Sequence, residues 1–297
     1  MSDLVFYLSQ VFDGIAYGSI YGIFALSIVI LYRSNKLFNL ALTEMATLCA
    51  IGMFFLLKYF SFGIALTLTL IFSFMAGSIL HLLIMRFLTE RQNKNHSGQT
   101  IITIGFFSVF NSLSSYIFGD EPQPFPTPFG SENFSILGVN ITYLSLGILA
   151  VTCGLVGLIY AAFKFTKIGL IFEAVAENEQ AAKLRGIHVS NVLAIAWGLT
   201  LMAGATGAVL IAPALYLSPS MLTSIFAYAL IAVVVGGLES PLGAFLGGIL
   251  VGIIENLSSN IQFIGAELKF VVVVLVLIII LIFKPRGMWG RKEGRKI

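Results

Sequence analysis

Residues 270–283 read Phe270-Val271-Val272-Val273-Val274-Leu275-Val276-Leu277-Ile278-Ile279-Ile280-Leu281-Ile282-Phe283, and the run stops at Lys284-Pro285-Arg286. None of these side chains is polar. With 265–269 in front of it, the stretch comes close to the roughly 20 residues needed to cross a bilayer core. A soluble protein could bury one such segment, so the rest of the chain decides its meaning.

The rest of the chain repeats the pattern. Of 297 residues, 58% are apolar and 10% are charged, with 17 Lys or Arg and 14 Asp or Glu. Soluble domains carry about 25% charged residues, and a globule this size cannot cover its surface with so few. A water-soluble enzyme, a nucleic-acid-binding protein and a disordered chain are excluded. The expectation is an all-α polytopic membrane protein, one transmembrane domain over 1–297 surrounded by membrane lipid. Candidate spans run at 10–32, 37–58, 63–88, 98–118, 141–164, 189–217 and 265–283. Region 222–257 holds two shorter apolar runs about the break Gly236-Gly237-Leu238-Glu239-Ser240-Pro241. It is either two short helices or a re-entrant hairpin, so the bundle has about 8–9 transmembrane helices.

Four basic clusters orient the chain. They are Arg33 and Lys36; Arg86, Arg91 and Lys94; Lys164, Lys167, Lys183 and Arg185; and a tail of Lys284, Arg286, Arg291, Lys292, Arg295 and Lys296. The spans put all four on one side, which the positive-inside rule makes cytoplasmic. The N-terminus is then external and the C-terminus cytoplasmic. The external loop 119–140 carries Asp120, Glu121 and Glu132 and no Lys or Arg. Met1 to Gln10 lack a basic n-region, so the first apolar segment is expected to remain as a helix. Cys49 and Cys153 read as small apolar residues without metal-ligand spacing. No metal site is expected. His81, His96 and His188 lie near the cytoplasmic boundary but far apart in sequence.

Several polar or small residues stand out against this background. Gly14, Gly18 and Gly22 fall on one helix face, and Gly243, Gly247, Gly248 and Gly252 make a second small surface. Such faces serve either close helix packing or the lining of a path. Glu44, about seven residues into the second span, should face protein, a water-filled cavity or the solvated edge. Asn39 and Thr43, four apart, are expected on one helix face. Gly18, Gly22, Asn39, Thr43 and Glu44 are the candidate path residues. Glu239 is placed to head the helix that begins near Pro241.

The segment 165–188 is different again. Glu173, Glu177, Gln180, Ala181 and Leu184 recur at three- and four-residue spacing, predicting one short amphipathic helix ended by Gly186. It is too polar to enter the membrane and too short to be stable alone. A docking helix for a cytoplasmic partner fits it better than a free surface helix. No Walker A pattern or dinucleotide fingerprint occurs in the chain. Any ATP-driven work must therefore be done by another subunit.

Within this segment, Glu173-Ala174-x-Ala176-Glu177-Asn178-x-x-Ala181-Ala182-x-Leu184-x-Gly186-Ile187 resembles the coupling loop of ABC importer permeases, closest to the branched-chain amino acid (Liv-type) permease family. Ile231 to Ala244 resembles that family's Gly-rich hairpin, and Lys284-Pro285-Arg286-Gly287-Met288-Trp289-Gly290 its tail. Tyr21 to Tyr32, with Asn39 and Glu44, resembles its first two helices. One stretch departs: Leu42 and Thr43 stand where the family usually has His and Gly, so a branched-chain substrate is not assured.

The resemblance implies a permease that performs no chemistry itself and translocates a small solute, a branched-chain or other amino acid. It implies cytoplasmic ABC ATPase subunits, which bind the ATP and Mg while this chain holds no cofactor. It further implies a second permease subunit, usually a paralogue, an extracytoplasmic solute-binding protein, and a place in the inner membrane. Glu173, Ala176, Glu177, Gln180, Ala181, Leu184 and Gly186 become the ATPase-coupling residues. The competing readings are an ion-coupled secondary transporter, which has no need of the cytoplasmic helix, and an integral-membrane enzyme, for which no catalytic spacing is present.

Overall fold

A computed structural model describes residues 2–85, 96–130, 132–136, 139–259 and 265–290. The second basic cluster (Arg86, Arg91, Lys94) and the distal tail (Arg291, Lys292, Arg295, Lys296) lie outside the described residues.

The chain is almost wholly helical. Its helices are α1 (Ser2–Asn35), α2 (Leu42–Leu56), α3 (Phe62–Leu80), α4 (His96–Phe118), α5 (Tyr143–Phe165), α6 (Lys167–Glu177), α7 (Glu179–Leu184), α8 (Val189–Leu215), α9 (Thr223–Gly236), α10 (Pro241–Ser259) and α11 (Gly265–Phe283). A π-helical turn, His81–Met85, extends α3. Among the described residues, six helices are long and apolar enough to cross a membrane: Val5–Asn35, Phe62–Met85, Gly98–Phe118, Tyr143–Phe165, Val189–Leu215 and Pro241–Ser259. Leu42–Leu56, Thr223–Gly236 and Leu268–Phe283 are apolar but shorter. At 1.5 Å per residue, α2 and α9 rise only about 20 Å, short of a hydrocarbon core of about 30 Å. This is a polytopic membrane protein, and helix length alone does not fix its number of crossings.

The expected loop 119–140 contains structure the sequence reading missed. Strands β1 (Asn133–Ile136) and β2 (Val139–Thr142) pair antiparallel, with Asn133 opposite Thr142 and Ile136 opposite Val139. The ladder runs into α5, whose first turn is capped when Thr142 Oγ1 accepts from Ser145 N at 3.0 Å.

Two compact units emerge, each assembled from separate stretches. One comprises Met1–Val29, Thr127–Cys153 and Ile225–Ile297. Here the two glycine faces meet. A Cβ on Gly14 would lie 2.8 Å from Ile253 Cα, one on Gly18 2.8 Å from Gly248 O, and one on Gly22 2.7 Å from Phe245 O. Only glycine allows α1 and α10 this close. Gly243 and Gly247 turn the other way, toward Gly236 O and Ala232 O of α9. The hairpin glycines thus form two faces rather than one surface. A polar ladder joins α1 to α5: Ser145 Oγ donates to Asp13 Oδ1 at 2.8 Å, and Thr152 Oγ1 donates to Ser19 Oγ at 2.9 Å.

The α9–α10 turn in this unit rests on the segment after α11. Met288 N donates to Val235 O at 2.7 Å and Trp289 N to Gly236 O at 3.2 Å. Gly237 and Gly287, at φ +102° and +82°, make the turns that allow this. Ser240, not Glu239, caps α10: its Oγ accepts from Gly243 N at 3.0 Å, with Pro241 as the first helical residue. A hydroxyl next to the helix start outcompetes a carboxylate one residue further away, and Glu239 remains exposed.

The other unit comprises Ile30–Pro126 and Gly154–Ser224. Its axis is α8, buried along most of its length. Gly77 of α3 lies against the backbone of Trp197 and Gly198, and Gly198 against Phe74 O and Ser78 Oγ. Ala41, Met45 and Cys49 pack against Leu201 and Ala205 from the other helix α8 supports, α2.

Candidate functional site

Two features in the second unit carry most of the residues singled out by sequence. The first is the cytoplasmic segment. The expected single helix is two, broken at Asn178, whose backbone is extended at φ −155° and ψ 101°. The break is local chemistry: Asn178 Oδ1 accepts from Ala181 N at 3.0 Å and so starts α7. Thr166 Oγ1 likewise accepts from Ile168 N at 3.2 Å to start α6. Gly186, at φ +81°, ends the pair as expected, with Ile187 N donating to Ala182 O at 3.1 Å.

The two helices share one buried face. Phe172, Val175 and Ala182 are buried in a cluster with Val189, Val192, Ala196 and Trp197 of α8. Glu173, Glu177, Gln180, Ala181, Leu184 and Gly186 are exposed, and Ala176 is half-buried. Leu184 of α7 is 90% exposed, and Leu170 and Ile168 of α6 are also exposed. Glu179 pairs with Lys183 at 2.7 Å, an i,i+4 contact worth a few tenths of a kcal/mol at about this exposure.

The second feature is the start of α2. Asn39 does not share a helix face with Thr43, because it precedes the helix: its Oδ1 accepts from Ala41 N at 3.0 Å in an Asx turn. Thr103 of α4 accepts from Leu40 N at 3.3 Å and donates to Thr100 O at 2.7 Å. Glu44 is 1% exposed, so it is not at a solvated edge. Asn111 Nδ2, also on α4, donates to Glu44 Oε2 at 2.9 Å. Glu44 Oε1 and Thr43 Oγ1 have no hydrogen-bond partner among the described residues. Gly18 and Gly22 belong to the α1–α10 seam of the first unit.

Sequence reasoning missed Asn111 and Thr103. Their spacing of eight puts them about 80° apart around the helix, but that helix also carries Gln99, Thr100, Ser108, Ser112, Ser114 and Ser115, so neither residue stands out in the sequence.

Comparison with known proteins covers nearly the whole chain. Residues 10–281 match the family model described as "Branched-chain amino acid transport system / permease component". The chain belongs to this permease family. The permease is 26% identical to the "High-affinity branched-chain amino acid transport system permease protein LivH" of Salmonella typhimurium, over 99% of each chain. It is 26% identical to the corresponding protein BraD of Pseudomonas aeruginosa over the full length of both. It is 28% identical to a "Probable branched-chain amino acid transport permease protein LivH" of Methanocaldococcus jannaschii, over 93% of this permease and 90% of that one. As a family member it is a transport component of an ABC importer.

Proposed function

We propose that this chain is the membrane-spanning subunit through which an ABC importer moves a branched-chain or other amino acid across the inner membrane. Cytoplasmic ATPase subunits supply the energy, holding the ATP and Mg, and an extracytoplasmic binding protein delivers the solute. A second permease subunit, a paralogue of this one, completes the membrane part. The observation that carries the reading is the divided surface of α6–α7. Its apolar face is anchored on α8, while Glu173, Ala176, Glu177, Gln180, Ala181, Leu184 and Gly186 form the opposite, ATPase-coupling side. Several exposed apolar side chains on these anchored helices, Leu184 at 90% with Leu170 and Ile168, support a protein partner there. Closure of the ATPase dimer on ATP would pull α6–α7 and, through Phe172 and Val175, move α8.

Nine crossings fit the chain best in this reading, with the N-terminus external and the C-terminus cytoplasmic. The contact of the α9–α10 turn with Met288 and Trp289 supports a hairpin that reaches the side where α11 ends. Asn39, Thr43 and Glu44 contribute to the solute path, and Gly18 and Gly22 serve it by letting α1 lie against α10.

The test is ATPase activity of the complex reconstituted in proteoliposomes with its binding protein, against a panel of amino acids, amides and urea. Stimulation by leucine, isoleucine or valine is the expected result. Stimulation by another solute alone would keep the importer and overturn the substrate. Solute uptake that persists without ATP but requires an ion gradient would overturn the ABC reading.

A further inference from the structure

Among the described residues, Glu44 has no ion pair with a Lys or Arg. Helix α2 packs on α3, α4 and α8. These four helices contain no Lys or Arg, and no acidic residue other than Glu44. His96 opens α4 fifteen residues before Asn111, about four helical turns away. His81 follows α3 and faces the Trp197 ring at 6.1 Å. What reaches the carboxylate is one neutral amide, from Asn111 at 2.9 Å. The second oxygen, Oε1, and the neighbouring Thr43 hydroxyl are buried without a partner among the described residues. A carboxyl group so enclosed is either held neutral or met by a charged donor. Glu44 lies in the first turn of α2, whose N-terminal end favours the charged form, and a cationic donor would complete it. Both unpartnered atoms are oxygens able to accept.

We propose that Glu44 receives the ammonium group of the transported solute, with Asn111 as the positioning residue that fixes the carboxylate. The inference rests on the amino-acid reading above. Its test does not depend on which amino acid is carried.

The probe is radiolabelled 3-methylbutylammonium, with 3-methylbutanoate as the control of opposite charge. Both are equilibrated with the solubilised full complex. Saturable binding of the amine and not of the acid is expected. Glu44→Gln should weaken it about tenfold or more, and Glu44→Asp should keep part of it. Asn111→Ala should weaken it several-fold while the carboxylate remains. Melting curves and gel filtration identify any variant that fails to fold, in which case Glu44→Asp and Asn111→Ala carry the comparison. Equal amine binding by wild type and the folded variants overturns the proposal. So does an absence of saturable binding, or displacement by sodium as effective as by the amine. If the amine binds as expected but no amino acid is taken up in proteoliposomes, the transport reading fails and the cation site stands.

Discussion

Lys269 Nζ lies 2.6 Å from Glu255 Oε1, and the other oxygen of that carboxylate accepts the Tyr21 hydroxyl at 2.5 Å. Tyr21 in turn stacks on Tyr228, ring centroids 5.1 Å apart. One ion pair therefore ties α10 to α11, and its hydrogen bond reaches α1. The Glu255 side chain is 10% exposed and that of Lys269 36%. Lys269→Met leaves a buried carboxylate unpaired and should cost about 2 kcal/mol, below the range for a fully buried pair because Lys269 is partly exposed. The Lys269→Met, Glu255→Met double variant should recover most of that loss. Thermal melts of the purified complex in detergent check both, and a double variant no more stable than the single one would contradict the pairing.

The α1–α10 seam makes a steric prediction. A Cβ on Gly248 would overlap the backbone of Gly22 at N and Cα, and one on Gly252 would overlap Gly18 Cα. Backbone atoms cannot swing aside as a side-chain end can. Gly248→Ala should therefore destabilise by about 1–3 kcal/mol. Gly52→Ala, where nothing lies within 4 Å, is the matched control and should change little. Fluorescence-detected gel filtration after a heating series distinguishes the two.

On the coupling surface, stability and function should separate. Leu184→Asp and Glu177→Lys alter exposed positions and should move the melting temperature little. Co-purification of the ATPase subunits should fall about tenfold, the loss of a contact worth roughly 1.4 kcal/mol. Phe172→Ala should do the reverse at the level of the fold, costing about 3 kcal/mol from the cluster on α8. Unchanged ATPase capture by Leu184→Asp would remove this face as the docking site.

The hairpin turn gives a topological prediction. Glu239 is exposed and does not cap α10. In a Cys153→Ala background, Glu239→Cys should react with an impermeant maleimide in inverted membrane vesicles and not in intact right-side-out ones. Labelling from the external side would mean that α9–α10 dips and returns.

The broad architecture was legible because hydropathy and charge act locally. The apolar runs, the break at Gly236-Gly237 and the helix stop at Gly186 are each written within a few neighbouring residues. The turn chemistry was harder. Asn39 reads as a helix-face residue and Asn178 falls inside a single expected helix, yet their side chains bind the backbone two or three residues on and start helices there. The paired strands at 133–142 are too short to show a period against the polar loop around them. What no local reading could supply is pairing at a distance. Glu44 and Asn111 are 67 residues apart, and Tyr21 and Glu255 are 234. Each member looks like an isolated polar residue until the fold brings its partner.

The seam between Gly18 and Gly248 also sets a timetable for biogenesis. The two residues are separated by 230 positions, and ribosomes add about 5–20 residues per second. The first helix to enter the bilayer therefore waits roughly 12–46 s for the helix it was shaped to fit. Through that interval its glycine stripe faces lipid or the insertion machinery. Any substitution that makes this stripe bind something else meanwhile would act during synthesis, as a lower yield of inserted protein, before it could register as a less stable one.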